Sequence, residues 1–225
     1  MPLVKTHAFV IRTIRYSDSS KILTLFTNEL GKISVIHKGS RKNTKSGNSG
    51  SFSYYEAMIY FKDNREIQLL SQIHSLRVFK NIVSDIERLR AAYIVQELLN
   101  KSMPSNSPNK ELFESVFGFF QCIDSVVKNA EFELLKFLVH FAETHGIIPE
   151  ANSVRFETFF ARSGFTLYKS DLDFLNSIRD EIESEEDVIR KDINLNKLCR
   201  IYEQLLLDNS VVSGYHRTRS VFDQF

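Results

Sequence analysis

The sequence predicts an α+β protein, with a small N-terminal β-barrel followed by an all-helical region. Before residue 80, five segments are rich in β-branched and aromatic residues and alternate between apolar and polar positions. After Ser84 the apolar spacing changes to three and four, as in helices. Residues 1–80 carry 13 Lys and Arg against 5 Asp and Glu, a net charge of +8, whereas residues 81–225 carry 16 against 23, a net charge of −7. We therefore expect two domains, 1–80 and 81–225.

Five strands are expected in the first region, and the alternation is clearest in Ile33, Val35 and His37. Turn-forming residues separate the second strand from the third and the fourth from the fifth. So few residues cannot bury both faces of an open sheet, and an open sheet would also leave two edge strands unpaired. A small closed barrel avoids unpaired edge strands. The expected architecture is an oligonucleotide/oligosaccharide-binding (OB-fold) barrel, with an SH3-like barrel as the alternative. The predicted strands are 7–16, 22–27, 32–37, 54–62 and 66–76.

The helical region is expected to begin at Ser84, where Ser84 and Glu87 have the spacing of a capping box. The first helix should end near Lys101, because the segment 104–108 (PSNSP) follows it. In the third helix, Phe132, Leu135 and Val139 form one buried stripe. The later predicted helices are 110–127, 130–145, 154–163, 171–183 and 195–208.

The sequence offers no constellation that predicts catalysis, a metal or a cofactor. Cys122 and Cys199 are 77 residues apart and belong to no C-x-x-C pair, which excludes a cysteine zinc ribbon and a disulfide scaffold. Segment 39–46 approaches a P-loop, but Thr44 replaces its second glycine and no helix follows. The acidic run 181–187 is interpreted as a solvated face or turn rather than a metal site. We expect no enzymatic activity.

Location follows from what the chain lacks. The N-terminus carries Lys5, His7 and Arg12 without a long apolar core, so we do not expect a signal peptide. No apolar run approaches the ~18 residues that cross a membrane. Cytoplasmic location is the expectation.

The segment 38–50 is the most informative local feature, since it has four cations and no acid among Gly, Ser and Asn residues. Such a loop can lie along a nucleic-acid backbone, where each cation releases condensed counterions. An ordinary solvated loop is the alternative. The predicted phosphate contacts are Lys38, Arg41, Lys42 and Lys45, with Arg12, Arg15, Lys21 and Lys32 as candidates that extend the track.

Tyr54 and Tyr55 follow this loop, and aromatic rings beside cations can stack on bases. Because successive strand residues face opposite sides, at most one of the two can face a ligand. The alternative is that these rings fill the barrel.

Several motifs resemble the RecO family of bacterial recombination mediators. They are the segment Ala8–Arg12, the phrase LFTNELGKI at 25–33, and Lys38-Gly39-Ser40-Arg41. The helical segment Phe132–Leu135, followed by Gly146 and Pro149, is also similar to the family, as is the ending at 219–225.

The resemblance implies an OB-fold barrel with a helical domain that binds single- and double-stranded DNA and anneals complementary strands. It further implies work with RecR and with single-stranded DNA-binding protein to load RecA, in association with the bacterial nucleoid. Lys136 and His140 are the candidates for binding the acidic, apolar C-terminal tail of single-stranded DNA-binding protein. The cysteines of the family's zinc site are absent from 150–168, so we expect no zinc.

Two alternatives remain open from the sequence. The barrel could be a protein-interaction adaptor, or it could bind RNA without annealing DNA. Salt-sensitive binding to an oligonucleotide separates the adaptor from the nucleic-acid binder, because an adaptor would show none.

Overall fold

The structure is a computed structural model that describes residues 2–39, 52–125, 128–148, 154–179 and 193–208. It confirms the predicted class, with five strands followed by helices. The loop residues Arg41, Lys42 and Lys45, the acidic run 181–187 and the ending at 219–225 lie outside the described residues. The strands are β1 (Leu3–Arg15), β2 (Lys21–Thr27), β3 (Gly31–His37), β4 (Ser53–Tyr60) and β5 (Ile67–Val78).

The strands close into a barrel in the order β1-β2-β3-β5-β4. β1 is long enough to pair with both β2 and β4, and the short contact between β3 and β5 is parallel. This strand order is that of the five-stranded OB-fold, so the SH3-like alternative does not apply. A β-bulge between Val10 and Arg12 lets β1 turn from one partner to the other.

The barrel has its own apolar interior, and the alternation of the sequence places it. Leu23 and Leu25 on β2, and Ile33 and Val35 on β3, face inward and pack with Tyr55 and other interior side chains. Their neighbours in the sequence face outward, because successive side chains on a strand point to opposite sides. Outward-facing Phe9 and Phe26 join the larger core formed by the helices.

Six α-helices follow the barrel in the described ranges, after one 3₁₀ turn at Ile82–Ser84. Each of the first three begins at an acid or amide whose side chain accepts a hydrogen bond from a backbone N–H, namely Asp85, Asn109 and Asn129. The helices are α1 (Ile86–Ser102), α2 (Lys110–Asp124), α3 (Ala130–Thr144), α4 (Val154–Arg162), α5 (Lys169–Arg179) and α6 (Leu195–Asp208).

The predicted capping box at Ser84 is wrong. Asp85 is the N-cap of α1, and its carboxylate accepts the N–H groups of Glu87 and Arg88 at 3.0 Å each. Ser84 ends the preceding 3₁₀ turn, where its hydroxyl donates to the carbonyl of Asn81. The extra turn displaces the helix start, and the adjacent carboxylate caps it and favours the positive end of the helix dipole.

The barrel is joined to the helices by polar contacts as well as by aromatic packing. Buried Gln96 of α1 donates from Nε2 to the carbonyl of Val10, 3.1 Å away, beside the bulge that interrupts the β1–β2 ladder. Gly31 lies against the backbone of Ser107 with a φ of +68°. A Cβ at this position would overlap the Ser107 carbonyl, so only glycine fits both the backbone conformation and the close approach.

Candidate nucleic-acid interface

The described part of the predicted cationic track lies on the first three strands of the barrel. Arg12 and Arg15 are exposed on β1, and Lys21 is half-buried at the start of β2. Lys38 is exposed immediately after β3. These four side chains come from three adjacent strands, so the barrel brings together cations that are up to 26 positions apart in the sequence.

Three of the strand ends meet in one cross-strand row, which we call the mouth row: Arg15, Lys21 and His37. Arg15 is paired with Lys21, and Lys21 with His37. Two residues inward along the strands, Leu23 and Val35 are fully buried in the barrel interior. The side chains of the mouth row therefore point to the interior side of the sheet, beyond the last buried apolar residues of the barrel.

Arg12 lies in a different row, on the outside of the barrel. It follows the bulge of β1 and is paired with Thr24, which is paired in turn with Ser34. Thr24 lies between two inward-facing leucines, so this row faces outward. Arg12 thus offers its guanidinium to an outer surface whose other members are small and polar.

An apolar row on the outside of the barrel was not predicted from the sequence. We call it the outer apolar row. It passes around all five strands through paired residues, in the order Ile14, Ile22, Ile36, Leu69, Tyr60 and Leu3.

Much of this row is open to solvent. Ile14 is 42% exposed, Tyr60 37% and Leu3 45%, and Ile67, two residues from Leu69 on the same face of β5, is 42% exposed. The other three members, Ile22, Ile36 and Leu69, are half-buried. Scattered exposed apolar residues are normal on a protein surface, but a row of exposed and half-exposed ones indicates a binding surface. The only sequence signal was that these strands are apolar at positions on both of their faces.

The row lies among cations on the first three strands. Arg12 precedes Ile14 by two residues on the same outer face, about 7 Å along the strand at 3.3–3.4 Å per residue. Beyond Ile14, Ile22 and Ile36, the three strands end at the mouth row, and Lys38 follows β3. The arrangement can hold apolar ring faces on the row and anionic groups at its borders.

Lys32 is oriented away from this surface. Its ammonium donates to the carbonyl of Asn100 in the last turn of α1, 2.6 Å away, and burial lowers its pKa from the usual value. A cation is favourable at the carboxyl end of a helix. The backbone carbonyl of Lys32 also accepts from the N–H of Asn106 at 3.0 Å. Lys32 joins the barrel to the helices, so we leave it out of the proposed DNA surface.

Tyr54 and Tyr55 also pack against other side chains of the protein. Tyr55 is 2% exposed and fills the barrel interior, so its ring cannot stack on a base. Tyr54 faces outward, but its ring centroid lies 4.6 Å from that of Phe117 on α2 and 5.2 Å from that of His7. Burial raises the pKa of Tyr54, with smaller contributions from Glu114 and Glu29. Tyr55 is thus enclosed in the barrel, whereas Tyr54 is half-buried among aromatic rings, and base stacking by Tyr54 stays a prediction.

The helical region contains a cleft of about 340 Å³ between α2, α3 and α5. Lys136 and His140, four residues apart on α3, both line it, and Phe119, Phe137 and Ile178 supply apolar surface. Lys136 is ion-paired with Glu133 at 2.8 Å and lies 5.0 Å from the centre of the Phe132 ring. The structure therefore brings the two predicted partner-binding residues to the rim of one partly apolar cleft.

Cys122 lines the same cleft. Burial raises the pKa of its thiol, and the nearby Glu133 adds to the effect. Such a thiol is a poor nucleophile at neutral pH.

Within the described ranges, no group of three or more His, Cys, Asp or Glu side chains is arranged to hold a metal ion. No helix of those ranges is both long and apolar enough to cross a membrane. Residues 149–153, part of the region where the family's zinc cysteines are expected, are not among the described residues.

Comparison with known families gives matches over two thirds of the chain. Residues 1–79 match the model described as "Recombination protein O N terminal", and residues 83–154 match "Recombination protein O C terminal". The two matches adjoin at the point where the barrel gives way to the helices.

Curated relatives agree with the two matches. The DNA repair protein RecO of Chlorobium limicola is 36% identical over 150 residues, which are 65% of this chain and 57% of that protein. The RecO of Chlorobium phaeobacteroides strain DSM 266 is 42% identical over 119 residues, 51% of this chain and 44% of its own. The RecO of an Exiguobacterium species is 28% identical over 123 residues, 55% and 49% of the two chains. The matched part therefore spans less than two thirds of each of these relatives.

Proposed function

From its membership of the RecO family, we propose that this chain is a DNA repair and recombination mediator without catalytic activity of its own. It binds single- and double-stranded DNA, anneals complementary strands, and assists the loading of RecA together with RecR. The observation that supports this proposal most directly is the exposed outer apolar row bordered by cations on the first three strands of the barrel.

Annealing has a simple electrostatic requirement. Two complementary strands repel each other along their length, and cations that neutralise phosphates on each strand lower this repulsion without nucleotide hydrolysis. Arg12, Arg15, Lys21 and Lys38 supply described cations, and Arg41, Lys42 and Lys45 extend the set in the loop. Contacts to phosphates carry no base information, so binding is nearly independent of sequence.

The outer apolar row adds a reason to prefer unpaired strands. Bases of a duplex are stacked and paired, but an unpaired strand can turn its ring faces to a protein surface. OB-fold barrels bind oligonucleotides on the face of their second and third strands, which in this chain contains Ile22 and Ile36. Single strands should therefore bind more tightly than duplexes of the same length.

The test of the cationic loop is a variant in which Lys38, Arg41, Lys42 and Lys45 are all alanine. If all four contact single-stranded DNA, the slope of log affinity against log salt falls in magnitude by about 3, at ~0.7 per phosphate. The rate of annealing without ATP falls with it. A folded variant that keeps both the salt slope and the annealing rate would contradict the proposal.

The test of the outer apolar row is the Ile14→Ala, Ile22→Ala double variant, titrated with an oligothymidylate and with a duplex of equal length. We expect affinity for the single strand to fall about thirtyfold, since two base contacts of about 1 kcal/mol each sum to about 2 kcal/mol. The salt slope and duplex affinity should stay the same. Val83→Ala, at an exposed apolar position outside the barrel, is the matched control. Equal losses for single strand and duplex would remove the row from the proposal.

We further propose that the cleft in the helical region binds the acidic, apolar C-terminal tail of single-stranded DNA-binding protein. Its apolar surface can take the apolar side chains, while a peptide carboxylate competes with Glu133 for Lys136. Lys136→Glu should weaken peptide binding by at least tenfold, and exposed Lys128→Glu, placed before α3, serves as the control. Unchanged affinity in the Lys136 variant would remove the assignment.

A further inference from the structure

His37 is the member of the mouth row that the predicted cationic track did not include. It is the last residue of β3, and Lys21 lies directly across from it on β2. The imidazole is half-buried, and its Nδ1 is buried without a hydrogen-bond partner among the described residues. A buried polar atom that lacks a partner is costly, so such an atom beside Lys21 marks a position that can bind a polar ligand.

The electrostatic surroundings of His37 disfavour the protonated ring. Burial lowers its pKa from the usual value, and the positive charge of Lys21 lowers it further. Arg15 lies beyond Lys21 in the same row. The segment of β5 that pairs with β3, Ile67–Leu69, contains no ionisable side chain. The acidic residue of the β1–β2 turn, Asp18, is exposed to solvent.

We propose that Arg15, Lys21 and His37 form one phosphodiester-binding subsite at the mouth of the barrel, and that His37 takes up a proton from solvent when a phosphate binds. The two permanent cations attract the phosphate, and the phosphate offsets the repulsion that Lys21 exerts on a protonated imidazole. The protonated ring then donates a hydrogen bond to the phosphate oxygen. This subsite rests on the proposed binding of DNA and adds to it a dependence on pH.

The sign of the effect follows from linkage. The free protein holds His37 with a lowered pKa, and a bound phosphate raises that pKa, so the complex binds more protons than the separate partners. Affinity for DNA therefore increases as the pH falls towards the pKa of the free ring. Each unit by which the phosphate raises the pKa allows up to a tenfold gain in affinity.

The experiment measures binding of an oligothymidylate to the full chain between pH 5.5 and 8.5 at constant ionic strength. We expect at least a fivefold gain in affinity across this range for the natural protein. His37→Gln should lose this gain. His74→Gln is the matched control, because His74 is an exposed histidine on β5 of the same barrel. Persistence of the full pH dependence in His37→Gln would overturn the proposal.

A second measurement needs no variant and no DNA. The pKa of the His37 ring is followed by nuclear magnetic resonance in the natural protein, with and without inorganic phosphate. A rise on adding phosphate is expected, and an unchanged pKa would overturn the subsite even if the variant does not fold. If the protein binds no oligothymidylate at any pH but the His37 pKa rises with phosphate, the proposed function fails and the phosphate subsite stands.

Discussion

Two rows of side chains cross the outside of the same barrel, and they differ in whether the described helices cover them. One row contains Phe9, Phe26 and Lys32, and the helices cover it: Phe26 packs on Phe113 of α2 at 5.6 Å between ring centres. The outer apolar row crosses the same strands four or five residues away, at Ile14, Ile22 and Ile36, and no described helix is seen to cover it.

The difference shows which predicted site residues can meet a ligand. Lys32 and Tyr54 belong to the covered row, and both are engaged by the helices. Arg12 lies on the uncovered part of the outer surface, Arg15 and Lys21 lie in the mouth row, and Lys38 follows β3. A cation or a tyrosine on a barrel strand is therefore available to DNA only if its row is left uncovered.

The largest effect is expected where the covered side approaches the helices most closely. Gly31→Ala places a Cβ against the Ser107 carbonyl at a positive φ, and should destabilise the protein by roughly 3 kcal/mol. Gly39→Ala is the matched control, since Gly39 has a φ of +69° but no atom of the described residues within 4 Å of its added Cβ, and should cost about 1 kcal/mol. Urea unfolding measures both. Equal losses would show that the Ser107 contact contributes nothing.

A smaller effect separates tyrosines of the two sides. Tyr54→Ala removes a ring packed on Phe9 and Phe117 and should cost about 2 kcal/mol. Tyr16→Ala, at a largely exposed position in the β1–β2 turn, should change stability by less than about 0.5 kcal/mol. Both free energies come from thermal or urea unfolding. If Tyr54→Ala lost affinity for single-stranded DNA while its stability stayed unchanged, the Tyr54 ring would have to contact DNA.

The smallest effect is expected for two lysines, Lys32 on β3 and Lys38 immediately after it. Lys32→Ala removes the bond to Asn100 and should cost about 1 kcal/mol of stability, with no change in the salt dependence of DNA binding. Lys38→Ala should do the opposite, lowering the magnitude of the salt slope by ~0.7 at unchanged stability. Oligonucleotide titrations across salt, with unfolding curves of the same samples, decide between them. A reduced salt slope in Lys32→Ala would mean that Lys32 contacts DNA despite its place in the covered row.

The barrel, the helices that follow it and the cation-rich loop could all be predicted from the residues. Alternation along a strand and three-to-four spacing along a helix are local patterns, so they can be recognised from the residues alone. The sequence also placed Lys136 and His140 on one side of α3, because four residues make about one helical turn. It could not place the N-cap of α1 correctly, since Ser84 and Asp85 are both good caps and the 3₁₀ turn that ends at Ser84 leaves Asp85 as the cap.

Which outward-facing residues are covered could not be predicted from the residues, because it depends on how the helices pack on the barrel. Ile22 and Phe26 both face outward from β2, and periodicity treats them alike. What differs is the position of α1 and α2, which is fixed by contacts between distant residues such as Gln96 with Val10 and Gly31 with Ser107. His37 shows the same dependence on tertiary structure. Its neighbours in the sequence do not indicate a binding site. Its Nδ1, which has no hydrogen-bond partner among the described residues, lies beside Lys21 because the ends of three strands meet there.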